Sequence, residues 1–332
     1  MRSLAILGGG SWGTALAIVL AHRFDRVTLW VYEADLARRI AATRENDVYL
    51  PGFQIPANVE VFSAIPDALQ GAEVVLSAIP SQFVRATWEQ ALPELRPEML
   101  LVSATKGLES RTLCAPSQII TEVVSRRFSP QISVLSGPSF AREVANQNPT
   151  AIVIASRCTD HSAAIQSAFS SSSFRLYTSS DPTGVEVAAS LKNVVAVGAG
   201  VVHGLALGHN AMAALITRGL AEITRLAVAM GGKAQTLAGL AGLGDLVLTC
   251  TGELSRNRTV GLELAAGRSL DQIVGSMRMI AEGIKTTAAA RELAARYQVE
   301  MPITEQMYQV LHFGLPPREA IRRLMERSLR GE

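Results

Sequence analysis

The stretch LGGGSWGTALA near the start of the chain constrains the fold more than any other segment. Glycine inside an ordered element costs conformational entropy, yet Gly8, Gly9 and Gly10 stand in a row and Gly13 follows. They lie between an aliphatic run, Leu4–Leu7, and a helix-like segment, Gly13–His22. Gly8, Gly10 and Gly13 match G-x-G-x-x-G in strand, turn, helix order. In that setting the first glycine permits the tight turn. The second removes a Cβ where the backbone meets a pyrophosphate, and the third lets helix and strand pack closely. The helix N-terminus adds N–H groups and partial positive charge for the phosphates. The motif therefore predicts a dinucleotide site; a plain glycine-rich turn is the alternative, and the surrounding order of elements speaks against it.

Short aliphatic runs continue at Val27–Val31, Val59–Phe62, Val74–Ala78, Leu100–Ser103, Ile132–Ser136 and Ala151–Ala155. Helix-like segments lie between them, such as Asp35–Ala42 and Gln82–Leu92, while Ser170–Ser173 reads as a loop. The runs at Leu4, Val74 and Leu100 are continuously apolar, as in parallel strands covered on both faces. Alternation of strand and helix predicts an α/β domain with a doubly wound, Rossmann-type sheet. After about Pro182 the texture changes: AALITRGLAEITRLAVAM and TTAAARELAARY carry helical spacing and strand signals fade. The expected organisation is residues 1–181 as the dinucleotide-binding domain and 182–332 as an all-α substrate domain. A chain of 332 residues also exceeds one ordinary core.

Composition excludes several classes. Apolar residues make up 48% and charged residues 18%, which suits a packed globular chain and not a disordered one. A net charge of +2 is no nucleic-acid footprint, and Arg126-Arg127 and Arg322-Arg323 read as solvated helix faces. Cys114, Cys158 and Cys250 are far apart and odd in number, so neither a disulfide framework nor a metal site is expected, and a reducing, cytoplasmic setting is. The segment Val194–Ile216 lacks Asp, Glu, Lys and Arg and has the length of a membrane span. His203, His209, Asn210, Gly204 and Gly208 interrupt it, so a buried helix pair is the expectation.

The chemistry should lie beyond the carboxyl ends of the strands. The second strand ends Trp30-Val31-Tyr32-Glu33, with Arg38 and Arg39 following. An acid there would bond a ribose 2′-hydroxyl and an arginine would accept a 2′-phosphate, so NAD and NADP both stay open. The later strand ends carry Ile79-Pro80-Ser81, then Lys106, then Gly137-Pro138-Ser139, with Ser139 expected to cap a helix. In the second half, VEVAASLKNVVAVGAG places Lys192 and Asn193 inside an apolar helix. A buried lysine is costly unless paired, and burial is how an amine is tuned for acid–base work. Asp245 and Thr249, four apart in GLGDLVLTC, share a face if helical, and Asp245 could pair Lys192. Ser255-Arg256-Asn257-Arg258 then offers guanidinium forks suited to phosphate, although a basic surface turn is the commoner use of such a run.

Together, GGGSWGTALA, SATKGLE, SGPSFAREVA, ASLKNVVAVGAGV, LAGLGDLVLTC, SRNRTVG and IAEGIKT span nearly the whole chain. In that order they resemble the NAD(P)-dependent sn-glycerol-3-phosphate dehydrogenases of bacterial type. The resemblance implies dinucleotide contacts at Ser11, Trp12, Tyr32, Lys106, Ala141, Arg256, Ile280 and Glu282, beside the glycines. It implies substrate contacts at Lys106, Gly137, Ser139, Lys192, Asp245, Ser255, Arg256 and Asn257. Lys192 would be the proton donor and acceptor, with Asn193 and Thr249 beside it. The family's reaction interconverts dihydroxyacetone phosphate and sn-glycerol 3-phosphate, for phospholipid synthesis, in a cytoplasmic homodimer without a metal. Rivals of the same build are the β-hydroxyacid and 6-phosphogluconate dehydrogenases, against which SGPSF and SRN speak. A non-catalytic dinucleotide sensor would need the glycine loop but not Lys192 or Asp245.

Overall fold

The structure, a computed structural model, describes residues 1–277 and 281–329. Its described residues form two compact units, the first from Met1–Lys106 and Cys114–Glu186, the second from Gly107–Leu113 and the chain from Val187 onward.

In the first unit the aliphatic runs become strands: β1 (Ser3–Leu7), β2 (Arg26–Trp30), β3 (Glu45–Asn46), β4 (Leu50–Gln54), β5 (Val59–Phe62), β6 (Val74–Ser77), β7 (Leu100–Ser103), β8 (Ile132–Ser136), β9 (Thr150–Ala155) and β10 (Phe174–Ser179). Eight of them make one sheet in the order β10-β9-β8-β7-β6-β1-β2-β5, while β3 and β4 pair apart. Every pairing in the large sheet is parallel except β8 with β9. The helices between the strands are α1 (Ser11–Leu20), α2 (Ala34–Thr43), α3 (Ile65–Leu69), α4 (Val84–Ala91), α5 (Pro116–Val124), α6 (Ala141–Ala145) and α7 (Thr159–Phe169).

The pattern of β1 shows why these runs are continuously apolar. Leu4 and Ile6 join a buried cluster with Leu16 and Leu20 of α1, while Ala5 and Leu7 join another with Trp88 of α4 and Ile119 of α5. At β1 both sheet faces are thus dry, and Leu4–Leu7 are all core. After β2 and β5 the chain returns to lay β6 on the other side of β1. This reversal is the switch point of a doubly wound sheet, where ligands bind beyond the strand ends.

Sequence periodicity overlooks β3, β4 and β10. β4 reads LPGFQ, whose Pro and Gly imitate a turn. β10 reads FRLYTS and does alternate, with Phe174 and Leu176 buried and Arg175 and Tyr177 exposed, so its signal was present.

From Pro182 on, every described element is helical: α8 (Pro182–Gly204), α9 (Gly208–Ala229), α10 (Ala234–Leu237), α11 (Asp245–Thr251), α12 (Arg256–Ala265), α13 (Leu270–Ser276), α14 (Glu282–Arg296), α15 (Pro302–Phe313) and α16 (Pro317–Met325). A π-helical turn, Leu240–Gly244, leads into α11. α8 and α9 form the helix pair expected at Val194–Ile216, broken between Gly204 and Gly208, but only the α8 part, up to Val202, is buried; residues 208–216 of α9 are exposed or half-buried. α8 is long and apolar enough to cross a membrane, but its most apolar window is entirely buried. Gly200 and Gly261 let α8 and α12 touch backbone to backbone, since a Cβ on either would lie 2.0 or 1.9 Å from a carbonyl oxygen. Both arginine clusters are solvated, but only Arg322 and Arg323 lie on a helix face, against Glu319 in α16; Arg126 and Arg127 follow the end of α5 in a turn, with Arg126 against Glu89.

Candidate active site

The glycine loop divides into positions the protein needs and one it does not. Gly8 has φ +123°, and a Cβ there would sit 2.6 Å from the Ala78 carbonyl at the end of β6. A Cβ on Gly13 would lie 1.8 Å from the Gly8 carbonyl, so α1 can approach β1 only with glycine at that point. Gly10 is different. Its backbone is ordinary, φ −74° and ψ −177°, and a Cβ would meet nothing within 4 Å. No packing demand explains that glycine, whereas a cradle for a bound phosphate does. Nearby, the half-buried Trp12 has its indole nitrogen buried without a hydrogen-bond partner among the described residues. An orphaned donor of this kind is costly unless a ligand or water meets it. The loop at the N-terminus of α1 therefore fits a dinucleotide pyrophosphate.

A variant separates the two kinds of glycine. Gly10→Val keeps an allowed backbone and fills open space, so the fold should persist while dinucleotide affinity falls by about tenfold or more. Fluorescence titration with NADH beside a thermal melt checks this; unchanged affinity in a folded variant would reduce the loop to a turn.

In the helical unit α8 carries Lys192 and Asn193 to buried positions, 6% and 4% exposed. The Lys192 ammonium donates to the Asp245 carboxylate and, at 2.9 Å, to Thr249 Oγ1. Asp245 and Thr249 share one face of α11, and Thr249 Oγ1 also donates to the Asp245 carbonyl at 2.6 Å. The preceding LAGLG segment makes this placement possible: a Cβ on Gly242 would lie 2.1 Å from the Leu237 carbonyl. Cys250 is buried beside the cluster, its thiol pushed up to about 12 chiefly by burial, so it is an inert neighbour and no nucleophile.

Ser255 caps α12, its hydroxyl accepting from the Arg258 amide at 3.3 Å. Arg256 begins that helix and is exposed, while Asn257 is buried and accepts at 2.9 Å from the Gly283 amide. A Cβ on Gly283 would lie 2.7 Å from both the Asn193 carbonyl and Asn257 Oδ1. Gly283 thus ties Asn193, Asn257 and the start of α14 together, with Glu282 in that helix's first turn. Ile280 lies outside the described residues.

In the first unit Lys106 Nζ donates to the Gly137 carbonyl at 3.4 Å. Gly137 has φ +150°, and a Cβ there would press on Ile152 at 2.9 Å. Ser139 does not cap a helix: Phe140 precedes α6, which begins at Ala141, and the Ser139 hydroxyl donates instead to the Gly137 carbonyl at 2.9 Å. The competing Gly137 acceptor closes a local turn before the helix starts. Tyr32 is 80% exposed just beyond β2. Two residues that sequence reading did not single out, Asn46 and Tyr49, brace the glycine loop. Asn46 Nδ2 donates to the Gly9 carbonyl and to Thr14 Oγ1, both at 2.8 Å. They sit in the short hairpin that periodicity overlooked.

Two more buried carboxylates serve helix ends. Glu186 accepts from the Ser117 amide at 2.9 Å at the start of α5, and Glu222 from the Ile303 amide at 2.6 Å in α15. Burial pushes both up, Glu186 to about 7. Among the described residues no group of His, Cys, Asp and Glu could hold a metal ion.

A glycine-loop sheet joined in one chain to a helical unit with a buried Lys–Asp–Thr cluster defines the class of two-unit nicotinamide-dependent dehydrogenases. Family models narrow the class. The N-terminal and C-terminal models of NAD-dependent glycerol-3-phosphate dehydrogenase match residues 3–162 and 181–322. The chain belongs to this family. It is 55% identical over 329 residues to a glycerol-3-phosphate dehydrogenase [NAD(P)+] of Koribacter versatilis, covering 98% of each chain. It is 50% identical to the like-named protein of Geobacter sulfurreducens, covering 99% of this chain and 98% of that one. Its structure is similar to the crystal structure of glycerol-3-phosphate dehydrogenase from Coxiella burnetii, with a TM-score of 0.93 at 39% identity, covering 98% of this chain and 99% of the other.

Proposed function

We propose that the chain catalyses the reversible reduction of dihydroxyacetone phosphate to sn-glycerol 3-phosphate with NADH or NADPH. The observation that carries this reading is Lys192, buried and held by Asp245 and Thr249 within the region that the family's C-terminal model matches. Bound reduced nicotinamide supplies a hydride to C2 of the ketone. The C2 oxygen then gains an electron pair and needs a proton, which the Lys192 ammonium delivers; in the reverse direction the amine takes it back. Asp245 balances the ammonium charge, and Thr249 holds its second direction. A sensor without catalysis has no use for this pair, whose burial costs desolvation.

The substrate phosphate needs an anchor away from the reacting carbon, so that binding energy orients the carbonyl. Arg256 supplies a guanidinium at the N-terminus of α12, where the helix dipole also favours an anion. Ser255 and Asn257 would flank it. The contacts at Lys106, Gly137, Ser139, Ala141, Tyr32, Ile280, Glu282 and Asn193 belong to the same reading, as do a homodimer and a cytoplasmic setting.

Nicotinamide absorbance with dihydroxyacetone phosphate present tests the activity directly, and no consumption of either reduced nucleotide would sink it. Arg256→Lys keeps the charge but loses the fork. It should raise KM for dihydroxyacetone phosphate and cost about 2–3 kcal/mol in kcat/KM, the scale of a charge-assisted hydrogen bond. With dihydroxyacetone, which lacks the phosphate, variant and wild type should be about equally poor. Equal harm to both substrates would move the anchor to Lys106 or to Arg258, whose Nε is buried without a partner among the described residues.

A further inference from the structure

The tip of β2 is joined to the glycine loop by a run of hydrogen bonds. Asn46, fully buried, donates to the Gly9 carbonyl and Thr14, and its Oδ1 accepts from the Tyr49 amide at 3.0 Å. The Tyr49 carbonyl accepts from Ser11 Oγ at 2.6 Å. The Tyr49 hydroxyl donates to Glu33 Oε1 at 2.7 Å. Glu33 is an exposed residue immediately beyond Tyr32, and an exposed carboxylate by itself is ordinary. This one is held at a set position relative to the loop that fits the pyrophosphate. The Tyr49 phenol is kept above its usual range chiefly by that bond, so the tyrosine keeps its proton and is the donor.

The nearby guanidinium groups are already engaged with carboxylates or carbonyls. Arg38 pairs with Asp35, and Arg39 with Asp47 at 2.9 Å. Arg44 donates to the carbonyls of Val59, Ile55 and Pro56. A carboxylate has room for about four hydrogen bonds, and Tyr49 uses one. It can therefore accept from a ribose hydroxyl, whereas a 2′-phosphate would bring like charge against it.

Resting on the dinucleotide reading above, we propose that Glu33, positioned by Tyr49 and Asn46, reads the adenosine ribose and sets a preference for NAD(H) over NADP(H). Binding is measured by intrinsic tryptophan fluorescence with NADH and with NADPH, without substrate. Wild type should bind NADH about tenfold or more tighter than NADPH. Glu33→Gln removes the charge at an exposed position and should bring the two affinities together. Tyr49→Phe frees the carboxylate and should weaken NADH several-fold while leaving NADPH unchanged or improved. Equal or tighter NADPH binding in wild type, or a ratio unmoved by Glu33→Gln, overturns the proposal while the dinucleotide reading stands. Binding of neither nucleotide overturns both.

Discussion

Lys192→Ala is expected to lower kcat by about 10²–10⁴, the usual worth of a positioned proton donor. NADH affinity should survive, because the glycine loop belongs to the other unit. The change also orphans Asp245, which is 1% exposed, so circular dichroism must accompany the kinetics. Lys192→Arg guards against mere unfolding: it keeps a cation against Asp245 but holds its proton throughout the working pH range. A folded Arg variant should be nearly as inactive as the alanine variant. Near-normal turnover in either would remove Lys192 from the proton-transfer role.

The second large effect falls on stability. Asp245→Ala leaves the Lys192 ammonium buried beside a hydroxyl and no countercharge. Breaking a buried pair from one side costs about 3–5 kcal/mol, most of it the unpaired charge. The denaturant midpoint of the helical signal should fall accordingly. The double variant Lys192→Met with Asp245→Leu should be clearly more stable than the sum of the single losses, because no charge is then buried alone. Additive losses would show that the two side chains do not act as a pair and that Asp245 is needed for packing alone.

Most of the architecture was legible in the sequence because it depends on short-range patterns. The glycine motif requires a strand before it and a helix after it. Continuous aliphatic runs require cover on both faces, which β1 has. The change after Pro182 from short runs to helical spacing marked the all-α portion. The pairing of Lys192 with Asp245 was also within reach, since a buried lysine demands a partner and an acid on a helical face was at hand. What escaped were elements whose local signals point the wrong way. Pro51 and Gly52 disguise β4 as a turn, so the hairpin carrying Asn46 and Tyr49 went unseen. Ser139, a good cap by residue type, found a nearer acceptor in Gly137.

Residue type and spacing along one element were enough for the class of fold, the glycine loop and the lysine-centred cluster. Which glycines serve packing and which one leaves open space depended on contacts between segments far apart in the chain. Gly8 and Gly13 are set by carbonyls within 2.6 Å of a would-be Cβ, and Gly10 by nothing. Long-range contacts alone joined Glu33 to the glycine loop, through residues up to 38 positions apart. Such contacts depend on which strands become neighbours, and that is settled by how the whole sheet buries its two faces at once.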